Sequence, residues 1–150
     1  MSDKAQLGQH LRRHVQYQLY DASIELDPAG IAIYSLCDPR DIRQARYIGQ
    51  SSSPRRRFLQ HLNTARLWLP DERPWWIKSP KLRPLYDWIR ELYREDRRLP
   101  TMVVWRWAPT ATAARLAERE HIEQCLSEHQ PLLNIEAERQ ATQPQLPWGA

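Results

Sequence analysis

The sequence predicts an α+β domain: a small antiparallel β-sheet of three strands flanked by helices. Three observations lead there. Three short runs rich in β-branched and aromatic residues, Ile31–Leu36, Arg46–Gly49 and Thr101–Trp107, read as strands. Between and after them lie stretches whose apolar residues recur at helical spacing, as in Leu85, Trp88, Ile89, Leu92 and Tyr93. The 150 residues suit one domain with a modest core, and 41% apolar with 27% charged residues is ordinary globular composition.

Element by element, Leu7, Leu11, Val15 and Leu19 form one stripe and predict an N-terminal helical extension over 1–29, ended by Asp27-Pro28-Ala29-Gly30. Asp38-Pro39-Arg40-Asp41 reads as a longish loop joining the first two strands in an antiparallel hairpin. Ser53-Pro54 is a helix start, with serine as N-cap and proline in the first helical position, and the helix runs to Ala65. Pro70, Pro74 and Pro80 around Trp75-Trp76 mark an irregular connection before the amphipathic helix of Leu85–Tyr93. Thr110 or Thr112 caps the last helix, which reaches about Ser127. From Glu136 to Ala150 the polar residues and two prolines read as a flexible tail.

Charge is distributed unevenly. The chain carries 22 Lys+Arg against 18 Asp+Glu, a net +4, and 19 of the 22 are arginine. Residues 40–66 hold seven arginines against Asp41, whereas residues 118–138 hold Arg119 against six glutamates. A basic half opposite an acidic half suits a polyanion on one side, although a solvated charged surface gives the same count. Arginine can grip phosphate with two parallel donors, which lysine cannot. The candidate phosphate-contacting residues are Arg40, Arg43, Arg46, Arg55, Arg56, Lys78 and Lys81, with Trp75-Trp76 as a base-stacking candidate. No apolar run is long enough for a membrane span and no secretory signal opens the chain, so the expected location is cytoplasmic, with Cys37 and Cys125 as reduced thiols. His10, His14, His121 and His129 show no zinc spacing and read as structural or surface groups.

Three places carry candidate chemistry. Tyr34 and Tyr47 stand on the two hairpin strands. Arg57 and His61, four apart, share one face of the helix that follows Gly49, and its N-terminus suits an anion. Glu118 falls on the packing stripe of the last helix with Ala114, Ala117, His121, Ile122 and Cys125. A carboxylate there must find a cation, a metal or hydrogen-bond donors.

These residues together resemble the GIY-YIG nuclease family. Ile33-Tyr34, then Tyr47-Ile48-Gly49-Gln50-Ser51, an arginine eight residues after that glycine, Glu118-Arg119-Glu120-His121-Ile122 and Pro131-Leu132-Leu133-Asn134 follow the family's order over roughly residues 30–135. The first motif departs from the pattern, reading Ala32-Ile33-Tyr34, with Gly30 two residues too early to stand in for its glycine. The Arg40–Arg46 connection is also longer than in compact members.

The resemblance implies a metal-dependent endonuclease acting on DNA, with RNA not excluded. Glu118 would hold one divalent cation, Mg²⁺ or Mn²⁺, and Arg57 would bind the scissile phosphate. Tyr34 would act as general base with Tyr47 orienting the water, and Asn134 would brace the site. His61, which recurs in some members, is a second candidate proton acceptor, with a pKa nearer neutrality than tyrosine's. Specificity would then come from loops, the N-terminal helix, a homodimer or a protein partner. The alternatives are a nucleic-acid-binding module of the same fold whose catalysis has lapsed and a small enzyme acting on another phosphate ester. The nuclease reading requires Tyr34, Tyr47, Arg57 and Glu118 to meet in one pocket.

Overall fold

A computed structural model describes residues 30–70 and 74–134. The predicted helical extension over 1–29 and the tail over 136–150 lie outside the described residues. Strands β1 (Ile31–Asp38), β2 (Asp41–Ser51) and β3 (Thr101–Ala108) form one antiparallel sheet in the order β2-β1-β3. Helices α1 (Pro54–Ala65), α2 (Arg83–Asp96) and α3 (Ala111–Ser127) complete an α+β fold. No helix among the described residues is long and apolar enough to cross a membrane.

The alternation of β1 explains the layering. Ala32, Tyr34 and Leu36 point to one face, where they pack with Phe58, Leu62 and Ala65 of α1 and Leu85, Tyr86, Trp88, Ile89 and Leu92 of α2. Ile33 and Cys37 point to the other face and pack with Ala114, Ala117 and Cys125 of α3. The sheet is therefore a middle layer with both faces covered. Cys37 and Cys125 are free and buried in the second cluster.

Two features differ from the sequence expectation at the hairpin. The strands run on to Asp38 and from Asp41, so Pro39 and Arg40 form the turn, and the rest of the expected long connection is strand. The extra length is taken up by register shifts beside Cys37, which let charged residues of β2 extend the strand without disturbing the core pairs. α1 starts at Pro54 as expected, but the Ser53 side chain makes no capping bond. Instead, the Ser53 backbone N–H donates to the Ser51 hydroxyl at 3.0 Å, and the Ser53 carbonyl accepts the Arg57 N–H at 2.9 Å. Thr110 does cap α3, accepting the Ala113 N–H at 3.1 Å.

A register shift in β3 at Trp105 sends two consecutive side chains to the α3 side. Trp105 stacks on His121 (centroids 4.3 Å apart), His121 Nε2 lies 2.8 Å from the Ser35 hydroxyl, and Arg106 meets Glu120 at 3.4 Å. The opposite edge of the sheet is covered. Gln130 accepts the Ala45 N–H at 2.7 Å, the Pro131 carbonyl accepts Arg46 Nε at 2.9 Å, and the Asn134 amide both accepts the Ile48 N–H and donates to the Ile48 carbonyl, each at 2.9 Å. A side-chain amide thus completes the ladder that a fourth strand would otherwise supply.

Buried Arg90 of α2 fastens the end of α1. Its guanidinium donates to the carbonyls of Ala65, Arg66 and Leu69, while Arg66 and Arg90 each lie 4.9 Å from the Trp76 ring centroid. These carbonyls include those left open where α1 stops on left-handed Arg66. Arg90→Met, which keeps the volume and removes the donors, should lower the unfolding free energy by about 2–3 kcal/mol in urea titrations.

Candidate functional site

The site grows from one close approach. Tyr34, at the centre of β1, pairs with Gly49 of β2, and its phenol lies directly on that glycine. A Cβ on residue 49 would stand 2.6 Å from the Tyr34 hydroxyl oxygen and 2.7 Å from Cζ, closer than any side chain tolerates. Gly49 therefore lets the ring extend sideways over the edge strand. Tyr47, two residues along β2, presents its ring on the same face.

α1 brings the next two groups to this point. His61 is 0% exposed, and its Nε2 lies 2.8 Å from the Tyr34 hydroxyl. The Tyr47 ring sits edge-on to His61 with centroids 5.8 Å apart. Arg57, one turn earlier, is half-buried against the Tyr34 hydroxyl, and its positive charge acts on Tyr34, Tyr47 and His61 together. Tyr34, Tyr47, Arg57 and His61 thus converge on one side of the sheet.

Glu118 arrives differently. α3 packs on the opposite face, and the Glu118 carboxylate accepts a 3.0 Å hydrogen bond from the Gln50 amide near the end of β2. Its negative charge nonetheless contributes at Tyr47, across the sheet's edge strand. This corrects the expectation of one shared pocket: Tyr34, Tyr47 and Arg57 meet on the α1 side, and Glu118 reaches them only as a flank at the β2 edge, because α3 covers the opposite face.

Protonation follows from burial. The Tyr34 pKa is pushed far above the ordinary tyrosine range, first by burial and then by Tyr47, with Arg57 pulling the other way. Burial also raises Tyr47. His61 is pulled down to about 3 by burial and by Arg57, so it is neutral at physiological pH. This corrects the expectation of a near-neutral histidine pKa: an imidazole with no exposed surface beside a guanidinium disfavours a second positive charge. Burial raises Glu118, which the Gln50 amide partly offsets.

The expected basic surface is only partly available. Arg40 is held in a two-pronged pair with Asp38, at 2.9 Å for both bonds, Arg43 is paired with Asp41 at 3.1 Å, and Arg46 lies over Trp88 while donating to Pro131. Short local carboxylates and a carbonyl engage these three guanidiniums. Arg55 and Arg56 are exposed on the first turn of α1, next to Arg57, while Lys78 and Lys81 are exposed in the connection before α2. Trp75 is 63% exposed and packs edge-to-face on Trp76.

Among the described residues no three His, Cys, Asp or Glu side chains gather to hold a metal, and no ion pair involves Glu118. A single carboxylate of this kind fits Mg²⁺ or Mn²⁺ better than a softer ion, because these cations take few protein ligands when waters and phosphate oxygens fill the shell. The sequence reading missed Tyr86 and Gln50. Tyr86, from α2, places its hydroxyl 3.1 Å from His61 Nδ1. A phenol on an apolar helical stripe needs a buried partner, and that was the available signal. Gln50 follows the strand glycine directly but had no pattern of its own.

No family model matches the chain, and no curated protein or solved structure matches it significantly.

Gly49→Ala should cost about 1–3 kcal/mol, and the penalty should vanish in a Tyr34→Ala background, as a double-mutant cycle on chemical denaturation would read. His61 binds fewer protons folded than unfolded between its folded pKa of about 3 and the unfolded value of 6.5. Its contribution is therefore complete above about pH 6.5 and lost as pH falls, at up to about 1.4 kcal/mol per unit. Denaturation at pH 7, 5 and 4 should show a steeper acid loss in the wild type than in His61→Asn.

Proposed function

We propose that the chain is a metal-dependent endonuclease of the GIY-YIG type that hydrolyses phosphodiester bonds in nucleic acid, with DNA the favoured substrate. The observation that carries this reading is the meeting of Tyr34, Tyr47, Arg57 and His61 over Gly49, with the Glu118 carboxylate flanking them at β2. The four-residue cluster alone would suit a structural aromatic core. A half-buried arginine within it, beside two exposed arginines at a helix N-terminus, supports an anion as the missing partner.

In this reading Arg57 takes the scissile phosphate first, because its guanidinium lies beside the Tyr34 hydroxyl. Moving onto a phosphate oxygen, it exposes that hydroxyl to the attacking water and offsets charge that develops on the phosphoryl group. Tyr34 then accepts the water's proton while passing its own to His61 Nε2, as the bond from the water oxygen to phosphorus forms and the bond from phosphorus to the leaving sugar oxygen breaks, that oxygen taking its proton from solvent. His61 has no exposed surface and contacts the Tyr34 oxygen, so it acts through Tyr34 and does not touch the water. The phosphate's negative charge compensates Arg57 and makes the transient imidazolium less costly. Tyr47 orients the water, and Asn134 holds the Ile48 backbone beside it. A divalent cation on Glu118, Mg²⁺ or Mn²⁺, would supply Lewis-acid stabilisation of the phosphate oxygens. Arg55 and Arg56 bind the flanking backbone, and their contacts weaken with salt.

Purified protein incubated with supercoiled plasmid and branched DNA in Mg²⁺ or Mn²⁺ should cut at least one of them, and EDTA should abolish cutting. Arg57→Ala and Glu118→Ala should each lower the rate at least 100-fold, while Arg55→Ala should chiefly weaken binding. Absence of cleavage on every substrate, or equal cleavage by Glu118→Ala, would overturn the proposal. Salt-dependent DNA binding without turnover would identify the lapsed binder, and turnover of small nucleotide esters alone would identify a different phosphoesterase.

A further inference from the structure

Behind the proposed reacting groups lies a hydrogen-bonded line with a defined direction. Tyr34 is 1% exposed, and its hydroxyl oxygen meets two neighbours, the Arg57 guanidinium and His61 Nε2 at 2.8 Å. A guanidinium only donates, so the phenol's single proton is left for His61. His61 must then present a bare Nε2, and the one ring proton of a neutral imidazole sits on Nδ1. That nitrogen faces the Tyr86 hydroxyl at 3.1 Å, and the Tyr86 hydroxyl in turn contacts the Thr64 hydroxyl on α1. The opposite direction would put a second donor on the Tyr34 oxygen and leave its own proton without an acceptor inside a buried cluster.

We infer that Tyr86 is a positioning residue: by accepting the Nδ1–H of His61, it holds the imidazole in the tautomer whose Nε2 lone pair receives the Tyr34 proton. The arrangement matters for catalysis at the moment His61 is doubly protonated. The bond from Tyr34 oxygen to its hydrogen breaks, the Nε2–H bond forms, and the new positive charge is shared with the Tyr86 oxygen through Nδ1–H. Tyr86 gains and loses no proton in this step. Its side chain is buried, with its ring 6.0 Å from that of His61 and its hydroxyl engaged by His61 Nδ1 and Thr64, so it acts through the imidazole. The catalytic consequence rests on the nuclease reading; the tautomer does not.

The test uses the full chain labelled with ¹⁵N-histidine and reads the ring tautomers by long-range ¹H–¹⁵N correlation. His61 of the wild type is expected as the Nδ1–H form. Tyr86→Phe, which keeps the ring and removes the acceptor, should shift His61 toward the Nε2–H form and lower kcat on a cleavable oligonucleotide about tenfold, with KM unchanged. An Nε2–H His61 in the wild type overturns the inference whether or not the variant folds. An unchanged tautomer in a folded Tyr86→Phe overturns it as well. A wild type that cuts nothing yet carries the Nδ1–H form, lost in Tyr86→Phe, supports the positioning role and removes only the nuclease reading.

Discussion

The contact between the Tyr34 phenol and the Cα of Gly49 is the constraint on which the rest of the site depends. It joins neighbouring strands, and it lets a large side chain leave the middle of the sheet and reach across an edge strand. Any side chain at residue 49 would lift the ring, and with it the Tyr34 hydroxyl that meets His61 Nε2. α1 depends on the same contact, because His61 packs among Tyr34, Tyr47 and Tyr86 and is the polar hinge between the sheet and α2. The glycine is needed here for close approach and not for a turn.

That geometry places polar groups where water cannot solvate them, and their protonation states follow. Two phenols stay protonated and one imidazole stays neutral because burial outweighs Arg57 at the tyrosines and acts with Arg57 at the histidine. Arg57 remains the one positive charge at the centre of a neutral, hydrogen-bonded cluster. A charge in that position attracts an anion more strongly than the surface arginines do, because less water screens it. Glu118 lies beyond the edge of this field, tied to Gln50, which keeps an acid near the phenols without placing it against the guanidinium.

Arginine is used here in four physical ways, which its abundance alone does not separate. Arg90 serves as a buried clamp on carbonyls, and Arg40 and Arg43 are satisfied by aspartates two residues away. Arg66 and Arg97 end helices in the left-handed region where glycine is usual, each with its guanidinium near an aromatic ring. Arg57 is half-buried in the tyrosine cluster, with Arg55 and Arg56 exposed beside it on the first turn of α1.

Local pattern alone determined the elements. β-branched runs, the Pro54 and Thr110 helix starts and the 3.6-residue stripe of α2 are short-range signals, and the strands and helices formed around them, with β2 longer than its signal. The grouping of Tyr34 with Tyr47 and of Arg57 with His61 was legible too, because strand alternation and the i, i+4 helical spacing act within a few residues. Tertiary structure decided what sequence spacing cannot express. Which face of the sheet α3 covers set Glu118 apart from α1, although the helical wheel correctly placed it on a packing stripe. The pairing of Arg40 and Arg43 with Asp38 and Asp41 accompanies a tight two-residue turn that the Pro39-Arg40 pair did not announce, and Arg46 is engaged by Pro131 and Trp88, far along the chain. The meeting of Tyr86 with His61, 25 residues apart in the chain, depended on two helices packing side by side. Periodicity reports which face of an element is buried, whereas the identity of the partner across that face is a property of packing in three dimensions.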